Sequence, residues 1–269
     1  DRILKDMGKN IPVITTLHGT DITLVGKDPS CKPVINYSIN KSDGVTAVSN
    51  SLKNETVSIF NISNEIDVIP NFIDISKYQK VKRNPYRGKL CGKGERLIIH
   101  TSNFRKVKRI QDVINIFCKI NKEIPSKLIM IGDGPERANI ESLTRSLCSL
   151  KDVMFIGKIP DVENVLHNAD LFLLTSEKES FGLSALEAMA SSVPVISSNA
   201  GGLPELVQDG VSGYTCDIGD VNAMSEKAIE ILDKKNINLF KNNAFKTASK
   251  YDISIILPKY IEFYKKILN

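Results

Sequence analysis

Histidine is scarce: His18, His100 and His167 are the only three in 269 residues, so a His-rich metal site is not expected. The five cysteines, Cys31, Cys91, Cys118, Cys148 and Cys216, are scattered and form neither C-x-x-C nor a Cys/His ligand spacing. They read as reduced, mostly buried thiols of a cytoplasmic protein rather than a disulfide framework. No D-x-D occurs, so no metal bridging a diphosphate is implied, and neither metal nor cofactor is expected. No apolar run is long enough to span a bilayer and no secretory leader pattern opens the chain, so no membrane partner is expected. Basic residues occur without aromatic interleaving or a known binding motif, which argues against nucleic acid as a partner. Internal repeats and low-complexity segments are also missing.

What remains is an ordinary globular composition in a length comfortable for two domains. The net charge of +5 is mild and suits a protein that handles anionic small molecules. The opening DRILKDMGKN reads as the end of a helix, so the chain reads as beginning within a fold. Apolar, β-branched runs then alternate with helical patterns. Strands are expected at 12–17, 44–49 and 65–71, with helices near 30–42 and 51–60 between them. A polar, basic, aperiodic stretch follows. A second series has strands at 96–102, 127–134, 153–157, 171–175 and 193–198, and helices near 110–120, 136–147, 161–168 and 182–191. Such alternation implies right-handed β-α-β units and parallel sheets covered on both faces. The resulting organisation is a first α/β domain at 1–76, a linker at 77–95, a second α/β domain at 96–252 and a final helix at 253–269. Ligands of doubly wound folds bind outside the carboxyl ends of strands, and each motif below sits at one.

The stretch SEKESFGLSALEAMASSVPVISSNAGGLPE holds Glu179 and Glu187 with seven residues between them. Glu179 falls in a turn after a buried strand, and Glu187 falls inside the next helix. Backbone amides of Ser180, Phe181 and Gly182 at that helix start would suit an anion such as a phosphate. A carboxylate on Glu187 could accept both hydroxyls of a ribose or sugar diol. Taken singly, each glutamate is more simply a solvated turn or helix residue. The small residues that follow, and a second glycine loop at Gly201 and Gly202, change that balance. In SNFRKVKR, four cations, Arg105, Lys106, Lys108 and Arg109, follow a strand end and could neutralise a diphosphate. The bland alternative is a solvated basic turn. TTLHGTD places Thr16, His18 and Asp21 at another strand end.

These motifs resemble those of the retaining family 4 glycosyltransferases over essentially the whole chain. The resemblance implies a GT-B fold, two doubly wound Rossmann-like α/β domains, with the first one incomplete here. It implies that Glu179 touches donor-sugar hydroxyls and Glu187 the nucleotide ribose. The catalytic set is then His18, Glu179, Arg105 and Lys108, the last two on the donor phosphates. Gly157, Lys158 and Ile159 would hold the base, and Ser180, Phe181, Gly182 and Leu183 would complete the donor site. Thr16, His18 and Asp21 belong to the acceptor side. Transfer would be front-face, with the leaving diphosphate taking the acceptor proton.

Within the family, ITTLHGTDITLVGKDPS, KSDGVTAVSNSLKNET, IPNFID and SNFRKVKRIQDVI are similar to enzymes that move N-acetylglucosamine from UDP-GlcNAc to L-malate, the first step of bacillithiol biosynthesis. Asn36 stands where some of those carry arginine. Enzymes of this kind are longer at the amino end, so this stretch alone is expected to keep the nucleotide-binding half of the site without activity. A homodimer is compatible with the sequence. Two other readings stay open: a family 4 enzyme with a different nucleotide sugar and a sugar, lipid or polysaccharide acceptor, and a non-catalytic nucleotide-sugar-binding module.

Overall fold

The computed structural model describes residues 6–8, 11–23, 25–79, 87–147 and 150–268. The chain divides into two compact units, Asp1–Phe72 with Ile253–Asn269, and Ile73–Asp252. Most of the opening decapeptide lies outside the described residues, as does 80–86 within the expected linker. Of the rest of that stretch, Tyr78 lies in the helix Ile75–Gln79 and Arg87 opens the helix Arg87–Leu90.

The first unit is built on three parallel strands in the order β1-β2-β3: β1 Ile14–Leu17, β2 Gly44–Ala47 and β3 Ile66–Val68. The helix Lys32–Lys41 leads from β1 to β2 and carries a proline in its first turn, where the missing N–H costs nothing. The helix Asn50–Ile59 follows β2, and its N-cap Ser49 accepts a hydrogen bond from the Leu52 N–H at 3.1 Å. The C-terminal helix Ile253–Leu268 completes this unit by burying Ile256 and Phe263 against Ile69.

The second unit has a six-stranded parallel sheet in the order β6-β5-β4-β7-β8-β9. Its strands are β4 Arg96–Thr101, β5 Ser126–Ile131, β6 Val153–Gly157, β7 Leu171–Leu174, β8 Val195–Ser198 and β9 Gly213–Cys216. β7 and β8 are buried along their whole length; LFLL accordingly reads as an unbroken apolar run, while VISS ends in two buried serines. The helix Ile110–Glu123 presents Val113, Ile116, Phe117 and Ile120 at helical spacing to the core, and all four are fully buried. Chain order runs outward from β4 through β5 to β6, then returns to β7 on the other flank. The reversal between β4 and β7 is a topological switch point, the crevice where such sheets bind ligands.

Most sequence-derived elements lie within a few residues of their expected places. β9 and the helices Val221–Leu232 and Ile237–Ser249 were not singled out from the sequence. The helix expected at 161–168 is a single turn, Glu163–Leu166. Cys118 is disulfide-bonded, against the expectation of reduced thiols throughout, whereas Cys31, Cys91 and Cys216 are free. Spacing alone does not reveal such a pairing.

Asp170, just before β7, is a polar pin in this unit and is only 3 % exposed. Its carboxylate accepts from Arg87 Nη2 at 2.6 Å, Lys241 Nζ at 2.7 Å and the Leu97 N–H at 3.0 Å. Burial by itself raises the carboxyl's pKa, but Lys241, Arg87 and the Leu97 amide outweigh it and hold it below the usual carboxylate range. A pKa depressed on folding contributes stability above the unfolded-state value and loses it as pH falls through the folded-state value. Asp170→Asn is therefore expected to lower unfolding free energy at neutral pH by roughly 2–3 kcal/mol. It should also flatten the acid side of the stability profile. Urea unfolding at neutral and acidic pH measures both; an unchanged acid limb in the variant would show that Asp170 is not the linked group.

Candidate functional site

The loops leaving β4 and β7 meet over the switch point. Thr175, fully buried at the end of β7, donates its hydroxyl to the carbonyl oxygens of Lys108 and Arg109, each at 3.0 Å. The Glu177 N–H donates to the Val107 carbonyl oxygen at 2.8 Å. These bonds fix the β4 loop so that Lys108 Nζ reaches Glu179 Oε2 at 2.7 Å. Both side chains are 18 % exposed, so the pair is partly shielded yet reachable from solvent.

Arg109 sits in the left-handed region at φ 47°, φ 47° being a conformation that costs a non-glycine residue roughly 1–2 kcal/mol. Its guanidinium is held by Asp112 at 2.5 Å and by Glu177 at 3.0 Å. Those hydrogen bonds, first to Asp112 and then to Glu177, raise its pKa. Arg109 is thus a structural cation of the loop. Arg105 and Lys106 are exposed, with no shared carboxylate among the described residues.

Glu179 is also gripped from its other side. The Gly202 N–H donates to the Glu179 carbonyl oxygen at 2.9 Å. A Cβ at Gly201, where φ is 56°, would lie 2.0 Å from that same oxygen, so only glycine lets the NAGG loop come this close. The second glycine loop therefore supports the backbone of Glu179.

The following helix is Leu183–Ala190, capped by Gly182 at φ 96°. The Ala185 and Leu186 N–H groups donate to the Gly182 carbonyl oxygen, so the amides left without an intrahelical acceptor are those of Leu183 and Ser184. These two amides directly follow the 180–182 segment expected to face an anion. Phe181 is buried edge-to-face on Tyr251, with ring centroids 5.6 Å apart, and acts in packing. Ser180 is half-buried.

Glu187 is half-buried one turn into that helix, and no hydrogen-bond partner for its carboxylate is found among the described residues. Burial first, and the negative charge of Glu163 second, raise its pKa. Tyr78 lies within reach of both charges: burial, then Glu187, then Glu163 push its phenol up. Neither Tyr78 nor Glu163 was picked out from the sequence. Tyr78 fell in the stretch read as linker, and Glu163 carries no pattern beyond its place in PDVENVL.

Gly157, Lys158 and Ile159 leave β6, with Lys158 exposed and Ile159 half-buried. The Gly132 N–H donates to the Gly157 carbonyl oxygen at 2.8 Å and joins the GDG turn to that loop. In the first unit, Thr16 lies within β1 and accepts from the Thr46 hydroxyl at 3.0 Å, and His18 is exposed just after β1. Asp21 belongs to the turn of helix Thr20–Thr23, and its side chain lies outside the described residues.

The family model for glycosyl transferases group 1 matches residues 85–249, and that for glycosyltransferase family 4 matches residues 2–77. An N-acetyl-alpha-D-glucosaminyl L-malate synthase of Bacillus anthracis is 45 % identical over 233 residues, 86 % of this chain and 61 % of that protein. A glycogen synthase of Mycobacterium tuberculosis is 27 % identical over 83 % of this chain and 55 % of its own length. The chain thus spans less than two thirds of these relatives. Among solved structures, Anabaena HepE in complex with UDP and glucose superposes with a TM-score of 0.84 at 22 % identity, covering 97 % of this chain and 73 % of HepE. The sucrose-phosphate synthase of Thermosynechococcus elongatus superposes with a TM-score of 0.85 at 20 % identity, covering 99 % and 70 %. Two parallel α/β sheets, a site at the switch point of the second and family models that together span most of the chain agree on one conclusion: this chain belongs to the group 1 glycosyltransferases, with the GT-B fold.

Proposed function

We propose that the protein is a retaining glycosyltransferase that moves N-acetylglucosamine from UDP-GlcNAc to L-malate. The 45 % identity to the malate synthase supports the substrate pair. The observation that carries the site is the Lys108–Glu179 ion pair at 2.7 Å beside the start of helix Leu183–Ala190, with Glu187 in that helix unpartnered among the described residues. A nucleotide sugar needs those three elements: a cation for the diphosphate, an acceptor for sugar hydroxyls and a carboxylate for the ribose diol.

In this reading Lys108 serves two anions in turn. In the free protein it neutralises Glu179; with donor bound it turns toward the diphosphate with Arg105, and Glu179 is left to the sugar hydroxyls. The Leu183 and Ser184 amides add the positive end of the helix to the phosphates. Gly157, Lys158 and Ile159 receive the base. Thr16, His18 and Asp21 are assigned to the acceptor side. The leaving diphosphate takes the acceptor proton, so the protein's contribution is positioning and charge stabilisation of the departing group. Transfer of another sugar is the second reading, and it has support in the fold neighbour HepE, also solved with UDP-glucose.

Assay of the longer protein with UDP-GlcNAc and malate, set against UDP-glucose and sugar acceptors, separates the two readings. UDP binding without turnover on any acceptor would favour a non-catalytic module. Glu187→Ala is expected to weaken UDP binding by about tenfold or more, the loss of charge-assisted hydrogen bonds to the ribose. Glu179→Ala should instead lower kcat by on the order of a hundredfold and leave UDP affinity nearly intact. Calorimetry and steady-state kinetics give both numbers, and variants indistinguishable from the parent would end the assignment.

The raised pKa of Glu187 has a pH consequence. The diol is best accepted by the carboxylate form, so UDP affinity should fall as pH drops, starting above the usual glutamate range. Glu163→Gln removes the negative neighbour and should move that inflection to lower pH. Calorimetric titration of UDP across pH tests this; an inflection unaltered by the substitution would remove Glu163 from the site.

A further inference from the structure

A polar cavity of about 300 Å³ lies at the opposite edge of the second sheet from the candidate site, among Arg87, Arg96, His167, Asp170 and Lys241. Arg96 opens β4 and Asp170 immediately precedes β7, so the cavity sits at the amino ends of the two strands whose carboxyl ends carry the donor site. Six residues of β4 separate the edges, about 20 Å at 3.3 Å per residue.

The charges in this cavity do not balance. Arg87, Arg96 and Lys241 line it with one carboxylate, Asp170, which pairs with Arg87 and Lys241. Asp170 is only 4 % exposed in its side chain, and its two oxygens are already taken by Arg87, Lys241 and the Leu97 amide. Arg87 also donates to the Asn168 carbonyl oxygen, and Arg96 Nη2 donates to the Leu232 carbonyl oxygen at 2.8 Å. That leaves Arg96 without a carboxylate partner among the described residues. Arg87 and Lys241 keep side-chain exposures of 37 % and 27 %, so the cations are open to a ligand. His167 lines the cavity, but its Nε2 is shielded from solvent and has no hydrogen-bond partner among the described residues, so the imidazole senses charge in the cavity rather than contacting an occupant directly. Burial keeps the imidazole neutral to lower pH than usual, opposed by the charge of Glu163.

From this arrangement we infer an anion site for a small phosphate-bearing metabolite, separate from the donor site. The lining's surplus of cations over carboxylates suits a phosphomonoester, which carries about −1.5 to −2 at neutral pH, with Glu163 near His167 offsetting part of that surplus. Guanidinium groups suit its oxygens through paired N–H donors, and the anion's charge would favour protonation of the neighbouring His167. The cavity accommodates a phosphate with a few attached carbon and oxygen atoms. Because it lies at the other end of the strands from the donor site, its occupant is a regulator or an anchor.

The test uses the protein labelled with ¹⁵N-histidine, with UDP present to fill the donor site, and inorganic phosphate as the probe. His167 is identified by the signal lost in His167→Gln. Phosphate is expected to move the His167 resonance saturably and to raise the pH at which it titrates, with Glu163, Asp170, Arg87, Arg96 and Lys241 the charged groups around it. Arg96→Gln should weaken that response by about tenfold, since it removes one charged donor. Lys241→Gln, made as a second variant in case the first is poorly folded, should weaken it similarly. A His167 signal unmoved by phosphate overturns the site. So does an equal response in wild type and both folded variants, which would put the phosphate elsewhere. A stronger response to malate than to phosphate would overturn the phosphate assignment in favour of a carboxylate. None of these readouts depends on transfer activity, so they stand or fall separately from the proposed reaction.

Discussion

The joining of the β4 loop to the β7 loop is the constraint on which the site depends. Both loops leave the sheet at its switch point, where neighbouring strands send their connections in opposite directions and open a crevice. Left alone, a basic loop such as RKVKR would be solvated and mobile. Here one buried hydroxyl, that of Thr175, holds two successive carbonyl oxygens, and Arg109 accepts a left-handed backbone so that its guanidinium can reach Asp112 and Glu177. The strain of one residue is offset by ion pairs and hydrogen bonds around it. The result is that Lys108 points at Glu179 and not into solvent.

The glycine loop after β8 works toward the same end from the opposite side. Gly201 approaches the Glu179 carbonyl oxygen as only a residue without a side chain can, and the Gly202 amide closes the contact. Glu179 is therefore fixed by its backbone on one side and by its charge on the other. Glu187 is treated differently. It sits one turn into a helix with acidic and phenolic neighbours and no paired cation among the described residues, so its carboxylate keeps free hydrogen-bonding capacity and a raised pKa. Two glutamates with seven residues between them thus occupy unlike electrostatic environments, one neutralised and one frustrated. An acid/base pair flanking a scissile bond has a different arrangement, since its two carboxyls face one reacting centre.

Much of this was legible in the sequence because parallel α/β sheets leave strong local marks. Buried strands such as LFLL read as continuous apolar runs, and the helix Ile110–Glu123 shows its buried stripe at helical spacing. β9 did not, since GYTC is a short edge strand with two half-buried polar or aromatic positions. Arg109 and Lys108 were indistinguishable as neighbouring cations in a basic turn; only the positions of Asp112, Glu177 and Glu179 sort one into structure and the other into the site. Tyr78 was hidden because a contact with Glu187 more than a hundred residues away leaves no local trace.

The sequence by itself determined the alternation of strands and helices, the two-sheet class, and which loops stand at strand ends with glutamates, cations and glycines in them. Those properties follow from local periodicity and from the backbone needs of single residues. The tertiary structure alone decided which of those side chains meet, which cation is spent on the fold, which carboxylate stays without a partner, and that a cluster of Arg87, Arg96, His167 and Lys241 gathers around one buried aspartate. Pairing of charges depends on distances across the fold, and strand order, not sequence spacing, sets those distances.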